Sequence, residues 1–233
     1  MISEADTCRK YVLPKIYDAG WNDDQISEQK TFTDGKILVI SGKAKRKSPK
    51  RADYILRISK NFPIAVIEAK SSYKKSGDGL QQSIEYAKML GVKFAYSTNG
   101  KEILEHDFIT GIETELSIFP SPSELWDRYR ESEGIKTNIE NRLLLPYFNS
   151  PGKHPRYYQE IAINRAIKAV LEGKKKVLLT LATGTGKTYI AFQIIWKLWS
   201  SRWNPQGEYR KPKILYLADR NVLMILKIKY LPI

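Results

Sequence analysis

Three side chains in the first third of the chain have the types and spacing to hydrolyse a phosphodiester. Asp53 lies near the start of one strand-like run, Ala52 to Ser59, and Glu68 and Lys70 close the next, in Ile67-Glu68-Ala69-Lys70. Residues two apart on a strand project to one face, so Glu68 and Lys70 share it, and Asp53 on the adjacent strand can reach it. Two carboxylates so placed can hold Mg²⁺, with the Ala69 carbonyl as a further ligand. The cation lowers the pKa of a bound water and stabilises charge developing on the phosphate, while Lys70 orients that water or steadies that charge. Alone, Glu-Ala-Lys is common on solvated strands, so the reading depends on what surrounds it.

A second constellation is Ala182-Thr183-Gly184-Thr185-Gly186-Lys187-Thr188, between the apolar run Val177 to Leu181 and an amphipathic stretch. Gly184 and Gly186 let the backbone curl so that successive amides point inward, and a helix beginning near Lys187 adds its positive end. Such a turn cradles the phosphates of ATP: Lys187 neutralises the β and γ phosphates and the Thr188 hydroxyl coordinates Mg²⁺. The general phosphate-loop pattern asks for Gly where Leu181 stands.

The elements that must position these groups follow from periodicity. Ala5, Cys8, Val12, Ile16 and Tyr17 fall near helical spacing, with Ser3 as N-cap. Lys30 to Ile40 reads as short strands around Asp34-Gly35, and Gly42 to Arg51 as a basic loop placed to grip duplex phosphates. Ala52 to Ser59 and Ile64 to Ala69, separated by four residues, form an antiparallel pair. Leu80, Ile84, Ala87 and Leu90 mark a helix that puts Gln82 and Tyr86 on one face. Lys93 to Ser97 is a strand closed by Asn99-Gly100, beside which Lys101 to His106 returns. The whole is α/β, with a central mixed sheet. Five prolines between Phe119 and Pro155 mark a packed helical linker, which divides the chain into 1–120, 121–155 and 156–233. Tyr157 to Leu171 is a helix, and strands at Val177 to Leu181 and Lys213 to Ala218 complete a β-loop-α-β unit of a parallel sheet. Trp196 and Trp199, three apart on the intervening helix, are assigned to packing.

Composition narrows the partners. Thirty-nine Lys and Arg against 25 Asp and Glu leave a net charge of +14, which favours a polyanion, double-stranded DNA first. One cysteine excludes an internal disulfide framework, and no apolar run has signal-peptide or membrane-span character, so a cytoplasmic protein is expected.

With these residues in view, the chain resembles known families. Asp53 with Glu68-Ala69-Lys70 resembles the PD-(D/E)xK nucleases, and Glu4 matches an acidic helix residue often found among them. Ala182 to Thr188 resembles the short A-x-x-G-x-G-K-T form used by superfamily 2 helicases, and the segment following it the first part of a RecA-like motor lobe. In that resemblance Gln159, within Arg156-Tyr157-Tyr158-Gln159, reads adenine, and Arg220, after Ile214-Leu215-Tyr216-Leu217-Ala218-Asp219, touches DNA phosphate. Nuclease, linker and motor start in this order resemble the type I restriction enzyme R subunit, in which Gln82 and Tyr86 match the Q-x-x-x-Y element of the nuclease core. The resemblance implies a DNA-cleaving, ATP-driven subunit partnered by methylation and specificity subunits. Residues 222–233 depart from it, and no D-E-x-H segment follows the phosphate loop. A truncated or frameshifted gene, or a chain cut inside the first motor lobe, is the expectation, with no translocation by this chain alone. The alternatives are a non-catalytic DNA- or nucleotide-binding remnant and a fragment of a repair-type helicase.

Overall fold

Strand runs rich in β-branched and aromatic residues build the sheet that carries the first site. The computed structural model describes residues 4–32, 37–40, 43–46, 49–71, 73–148, 155–208 and 210–217. The strands β1 (Ile26–Phe32), β4 (Lys50–Ser59), β5 (Phe62–Ala69), β6 (Phe94–Thr98), β7 (Ile103–Asp107) and β8 (Glu113–Leu116) lie side by side in the order β1-β4-β5-β6-β7-β8. Only β5 and β6 run parallel; the other neighbours are antiparallel, so the sheet is mixed as expected. The crossover between the parallel strands is α3 (Leu80–Leu90), which ends on Gly91 in the left-handed conformation that closes many helices.

Side-chain alternation sends the sheet's residues to two cores. On one face Ala65, Ile67, Phe94 and Tyr96 join Cys8, Val12 and Ile16 from the N-terminal helix. That helix runs as α1 (Glu4–Thr7), a π-helical turn over Cys8–Val12, and α2 (Leu13–Asp18). On the other face Ile55, Val66 and Ala95 meet Leu80, Ile84, Ala87 and Leu90 of α3. Central strands buried on both faces read as continuous apolar runs, which is why Phe62 to Ala69 shows no alternation in sequence.

The Pro-containing segment packs into the first of these cores. It holds α4 (Pro122–Ser132) and α5 (Thr137–Leu143), whose Leu125, Trp126 and Leu143 are buried there together with Ile135 and Tyr147. Arg128 of α4 reaches the sheet, donating to Glu105 at 3.0 and 2.7 Å and to Asp107 at 2.9 Å, with its guanidinium 4.5 Å from the Phe94 ring centre. Helix α6 (Tyr157–Leu171) adds Ala162, Ile163 and Ile167 to the same cluster, and α7 (Lys187–Ser200) adds Ile190.

Two expectations need correction. The basic stretch is not a loop throughout: β2 (Ile37–Ile40) pairs antiparallel with β3 (Lys43–Arg46), and Lys50 and Arg51 belong to β4, because pairing partners, not charge, decide where a strand forms. The strands expected at 177–181 and 213–218 are not strands among the described residues; the chain there is extended without a ladder, leaving Leu178 89% and Leu215 82% exposed. An apolar run specifies burial but not a neighbour, and neither segment pairs with the other. Trp196 does pack, 4.8 Å from the Phe148 ring centre, and Trp199 lies beneath the Lys211 ammonium.

Helix α7 is tied to the segment after α5 by buried polar groups. Gln193 accepts from the Phe148 amide at 2.9 Å and donates back to its carbonyl at 3.1 Å, and Lys197 Nζ donates to the Leu143 carbonyl at 2.7 Å. Burial pushes the Lys197 ammonium down to about 7, against an ordinary 10.5. Below pH 7 both folded and unfolded chains hold the proton and the cost of burying charge is fully present. As pH rises through 7 the folded form loses its proton first, so stability is expected to climb by up to about 1.4 kcal/mol per unit until the unfolded lysine also titrates near 10. Urea unfolding at pH 6 to 10 checks this: the wild-type minus Lys197→Met difference should shrink with rising pH, and a constant difference would contradict it.

Candidate active site and nucleotide-binding turn

The register of β4 and β5 sets the first site. Tyr54 pairs with Ile67, which brings Asp53 level with the end of β5. There the Asp53 carboxylate accepts from the Ala69 amide at 2.8 Å, which pins it beside Glu68. Glu68 shares the sheet face of Val66, toward α3, and is 4% exposed. Lys70 Nζ donates to Glu68 Oε1 at 3.0 Å and to Gln82 Oε1 at 3.1 Å. Gln82 Nε2 in turn donates to the Tyr86 hydroxyl at 2.8 Å. All five residues expected at this site are thus brought together: Asp53, Glu68 and Lys70 from the hairpin, Gln82 and Tyr86 from α3.

Each member is held by a neighbour. The Tyr86 ring meets Phe32 edge-on at 5.2 Å, and Lys50, paired with Glu85, lies 5.6 Å from its centre. Burial raises the Tyr86 phenol, so it stays protonated at neutral pH and can serve Gln82 as an acceptor. The Lys70 ammonium can only donate, so Gln82 turns its carbonyl to it and leaves its amide nitrogen for the Tyr86 oxygen. The aliphatic part of Lys70 passes Gly79, where a Cβ would come 3.1 Å from Lys70 Cε and 2.5 Å from Ser97 Oγ. Sequence reasoning missed Gly79; a glycine immediately before the helix and its apolar periodicity was its only signal.

A magnesium ion fits the donors present. Two carboxylates and the Ala69 carbonyl are hard oxygen ligands of the kind Mg²⁺ takes, with water completing the shell. Among the described residues no group of three or more His, Cys, Asp or Glu is placed to hold a metal ion. Asp53 also lines a cavity of about 440 Å³ with Cys8, Arg9, Glu28, Gln29 and Tyr54. The backbone of Glu4 opens α1, but its side chain lies outside the described residues, as does Arg220.

The second constellation forms a turn at the N-terminus of α7. Gly184 and Gly186 adopt φ of +77° and +83°, which L side chains resist, and the helix starts at Lys187. Thr185 Oγ1 closes the turn by donating to the Ala182 carbonyl at 2.6 Å. Thr183, Gly184, Lys187 and Thr188 are exposed and open to a ligand. Gln159 is buried beneath the turn: its Nε2 donates to the Thr185 carbonyl at 2.8 Å and its Oε1 accepts from the Arg156 amide at 2.9 Å. Tyr158 also reaches the Thr185 carbonyl, at 3.3 Å. The structure thus brings Gln159 and the phosphate-loop residues into one site, although the strand expected before the turn is absent.

The chain is similar to known subunits of restriction enzymes. Residues 38–113 match the family model described as type I restriction enzyme R protein N terminus, and residues 152–226 the one described as type III restriction enzyme, res subunit. The type I restriction enzyme EcoAI endonuclease subunit of Escherichia coli is 42% identical over 231 residues, covering 96% of this chain and 28% of that protein. The EcoKI endonuclease subunit of Escherichia coli strain K12 is 31% identical over 147 residues, covering 57% of this chain and 11% of its own length. A solved fragment of an HsdR subunit of a type I restriction enzyme from Vibrio vulnificus YJ016 superposes with a TM-score of 0.80 at 56% identity, over 91% of this chain and 41% of that one. The chain spans less than a third of the length of these two curated relatives. Over nearly its whole length it corresponds to the N-terminal region of the R, or endonuclease, subunits of type I restriction enzymes.

Proposed function

We propose that this chain carries the DNA-cleaving site and the nucleotide-binding turn of a type I restriction R subunit, acting on double-stranded DNA with Mg²⁺ and ATP. The observation that carries the reading is the hydrogen-bonded row of Glu68, Lys70, Gln82 and Tyr86 between sheet and helix, with Asp53 bound to the Ala69 amide next to Glu68. When bound between the carboxylates, Mg²⁺ supplies an activated water and neutralises charge on the scissile phosphate. Asp53 and Glu68 would hold it, with the Ala69 carbonyl. Lys70, held by Gln82, keeps its ammonium beside the attacked phosphate, and Tyr86 keeps Gln82 from turning.

At the second site Lys187 would neutralise phosphate charge, Thr188 would offer its hydroxyl to Mg²⁺, and the amides of 183–187 would cradle the phosphates. Gln159, held against the turn, meets the adenine edge. The chain divides on this reading into a nuclease unit over 1–120, a helical linker over 121–155, and the start of a motor lobe over 156–233. Methylation and specificity subunits are its partners, with Glu4 and Arg220 as additional metal-site and DNA contacts. Among the described residues no helix is long and apolar enough to cross a membrane, in keeping with a cytoplasmic restriction complex.

Incubation with supercoiled DNA and Mg²⁺ tests the nuclease reading. The wild-type chain should nick it and Lys70→Ala should not; equal nicking by both, or none by either, would remove the claim for this chain. A nucleotide titration tests the other half, since Lys187→Ala should weaken binding at least tenfold, about 1.4 kcal/mol. Unchanged affinity would count against the turn as a nucleotide site.

A further inference from the structure

Adjacent residues of α6 reach in two directions. Gln159 holds the Thr185 carbonyl of the phosphate-binding turn, and Glu160 accepts from Arg57 of β4 through both guanidinium nitrogens, at 3.2 to 3.4 Å. Arg57 and Glu160 are both buried, and burial pushes the Glu160 carboxyl up against the downward pull of Arg57. Arg57 also donates to Ser27 Oγ on β1 at 3.1 Å and to the Lys60 carbonyl at 3.3 Å, so its guanidinium joins two strands to the helix.

The ion pair attaches where β4 is least held by the sheet. The β4–β5 register shifts on both sides of Arg57, and its partner there is Pro63, which has no N–H to give the ladder. Asp53 lies four residues upstream on the same strand. A cavity of about 800 Å³ lies beside these contacts, lined by Phe32, Lys60, Tyr157 and the ion pair. The middle of α6 is anchored differently: Asn164 donates to the Asn61 carbonyl at 2.9 Å, and Tyr147 joins Asn61 to Asn164. The first turn of α6 thus bears on both the phosphate-binding turn and β4.

We infer that Arg57 and Glu160 are positioning residues through which occupancy of the phosphate-binding turn sets the placement of β4, and with it Asp53. The inference rests on the nucleotide reading above and adds a regulation of the nuclease site to it. A Cβ on Gly186 would stand 2.5 Å from Gln159 Nε2, so the turn and α6 already touch closely. Phosphate draws the amides of the turn inward, and the Thr185 peptide, whose carbonyl Gln159 holds, must settle with them. Glu160, one residue on, carries that shift to Arg57 at the irregular rung. The coupling is reciprocal by thermodynamic necessity, so ordering the nuclease strands also tightens nucleotide binding.

Hydrogen exchange on the full chain, with and without Mg-ADP, tests this beside an ADP titration. The pair is replaced together, Arg57→Met with Glu160→Met, because one buried charge left without the other would unfold the site. In the wild type ADP should change amide exchange across residues 50–58 by about fivefold or more, the size of a modest coupling. In the double variant ADP should bind within about twofold of wild type while that response disappears. Arg57→Gln with Glu160→Gln, which removes both charges together and leaves two side chains that can hydrogen-bond to each other, should diminish it and serves if the methionine pair folds poorly. Bound ADP with no response in wild-type β4, or a response that survives in both variants, would overturn the inference. Failure of the wild type to bind ADP would be seen in the titration itself, and would remove the nucleotide reading and the coupling together; absence of nicking would touch neither.

Discussion

Asp53→Asn is expected to abolish Mg²⁺-dependent nicking while leaving the fold intact. The asparagine carbonyl can still accept from the Ala69 amide that now meets the carboxylate at 2.8 Å, so the geometry of the hairpin's end is retained. What is lost is one of two negative charges that a divalent cation needs. A fall of about 10²–10³-fold or more follows, the scale of removing one preorganised electrostatic group. The melting temperature should stay level or rise, because Asp53 and Glu68 repel each other when no cation lies between them. Nicking rates and a thermal melt on the same preparation check both halves. A variant that nicks at the wild-type rate would show that Asp53 is not a metal ligand, and one that melts early would show that its charge serves the fold instead.

Glu160→Ala carries the largest expected cost in stability. It strands the Arg57 guanidinium, 8% exposed, without its anion. Breaking a buried pair from one side costs about 3–5 kcal/mol, because an uncompensated charge stays behind. For a chain of this size that lowers the melting temperature by roughly 6–20 °C. Replacing both partners with methionine should restore most of the loss. The Arg130 and Asp127 pair, 2.9 Å apart on α4 with the Asp 54% exposed, provides the contrast. Its removal should cost only about 0.2–1 kcal/mol, since water screens the exposed pair and its side chains stay mobile. Thermal melts of the two single variants would decide it, and equal shifts would mean that burial does not set the strength of the Arg57 pair.

Much of both sites was legible in the residues. Glu68 and Lys70 share a face because strands alternate strictly, and the four-residue connection between the runs made their antiparallel pairing all but obligatory. Gln82 and Tyr86 share a helix face for the same kind of reason, a period of 3.6. The phosphate-binding turn announced itself through glycines at positions where the backbone takes positive φ. These features are local, and local spacing alone dictates them.

Other features depended on partners far away in sequence. Whether Val177 to Leu181 forms a strand depends on a neighbour to pair with, and the apolar run contains no information about that neighbour. Four residues of the basic stretch, Lys43–Arg46, became a strand because β2 lay beside them. The closeness of Arg57 to Glu160, 103 residues apart, follows from how α6 packs on the sheet, and nothing in either segment's composition marks it. Gly79 matters only because the Lys70 side chain crosses it. Residue type and period, which act within a few residues, set which side chains each candidate site offers. The tertiary structure alone decided how the two sites are joined, because burying a charge and closing a ladder are settled between segments that the chain brings together only on folding.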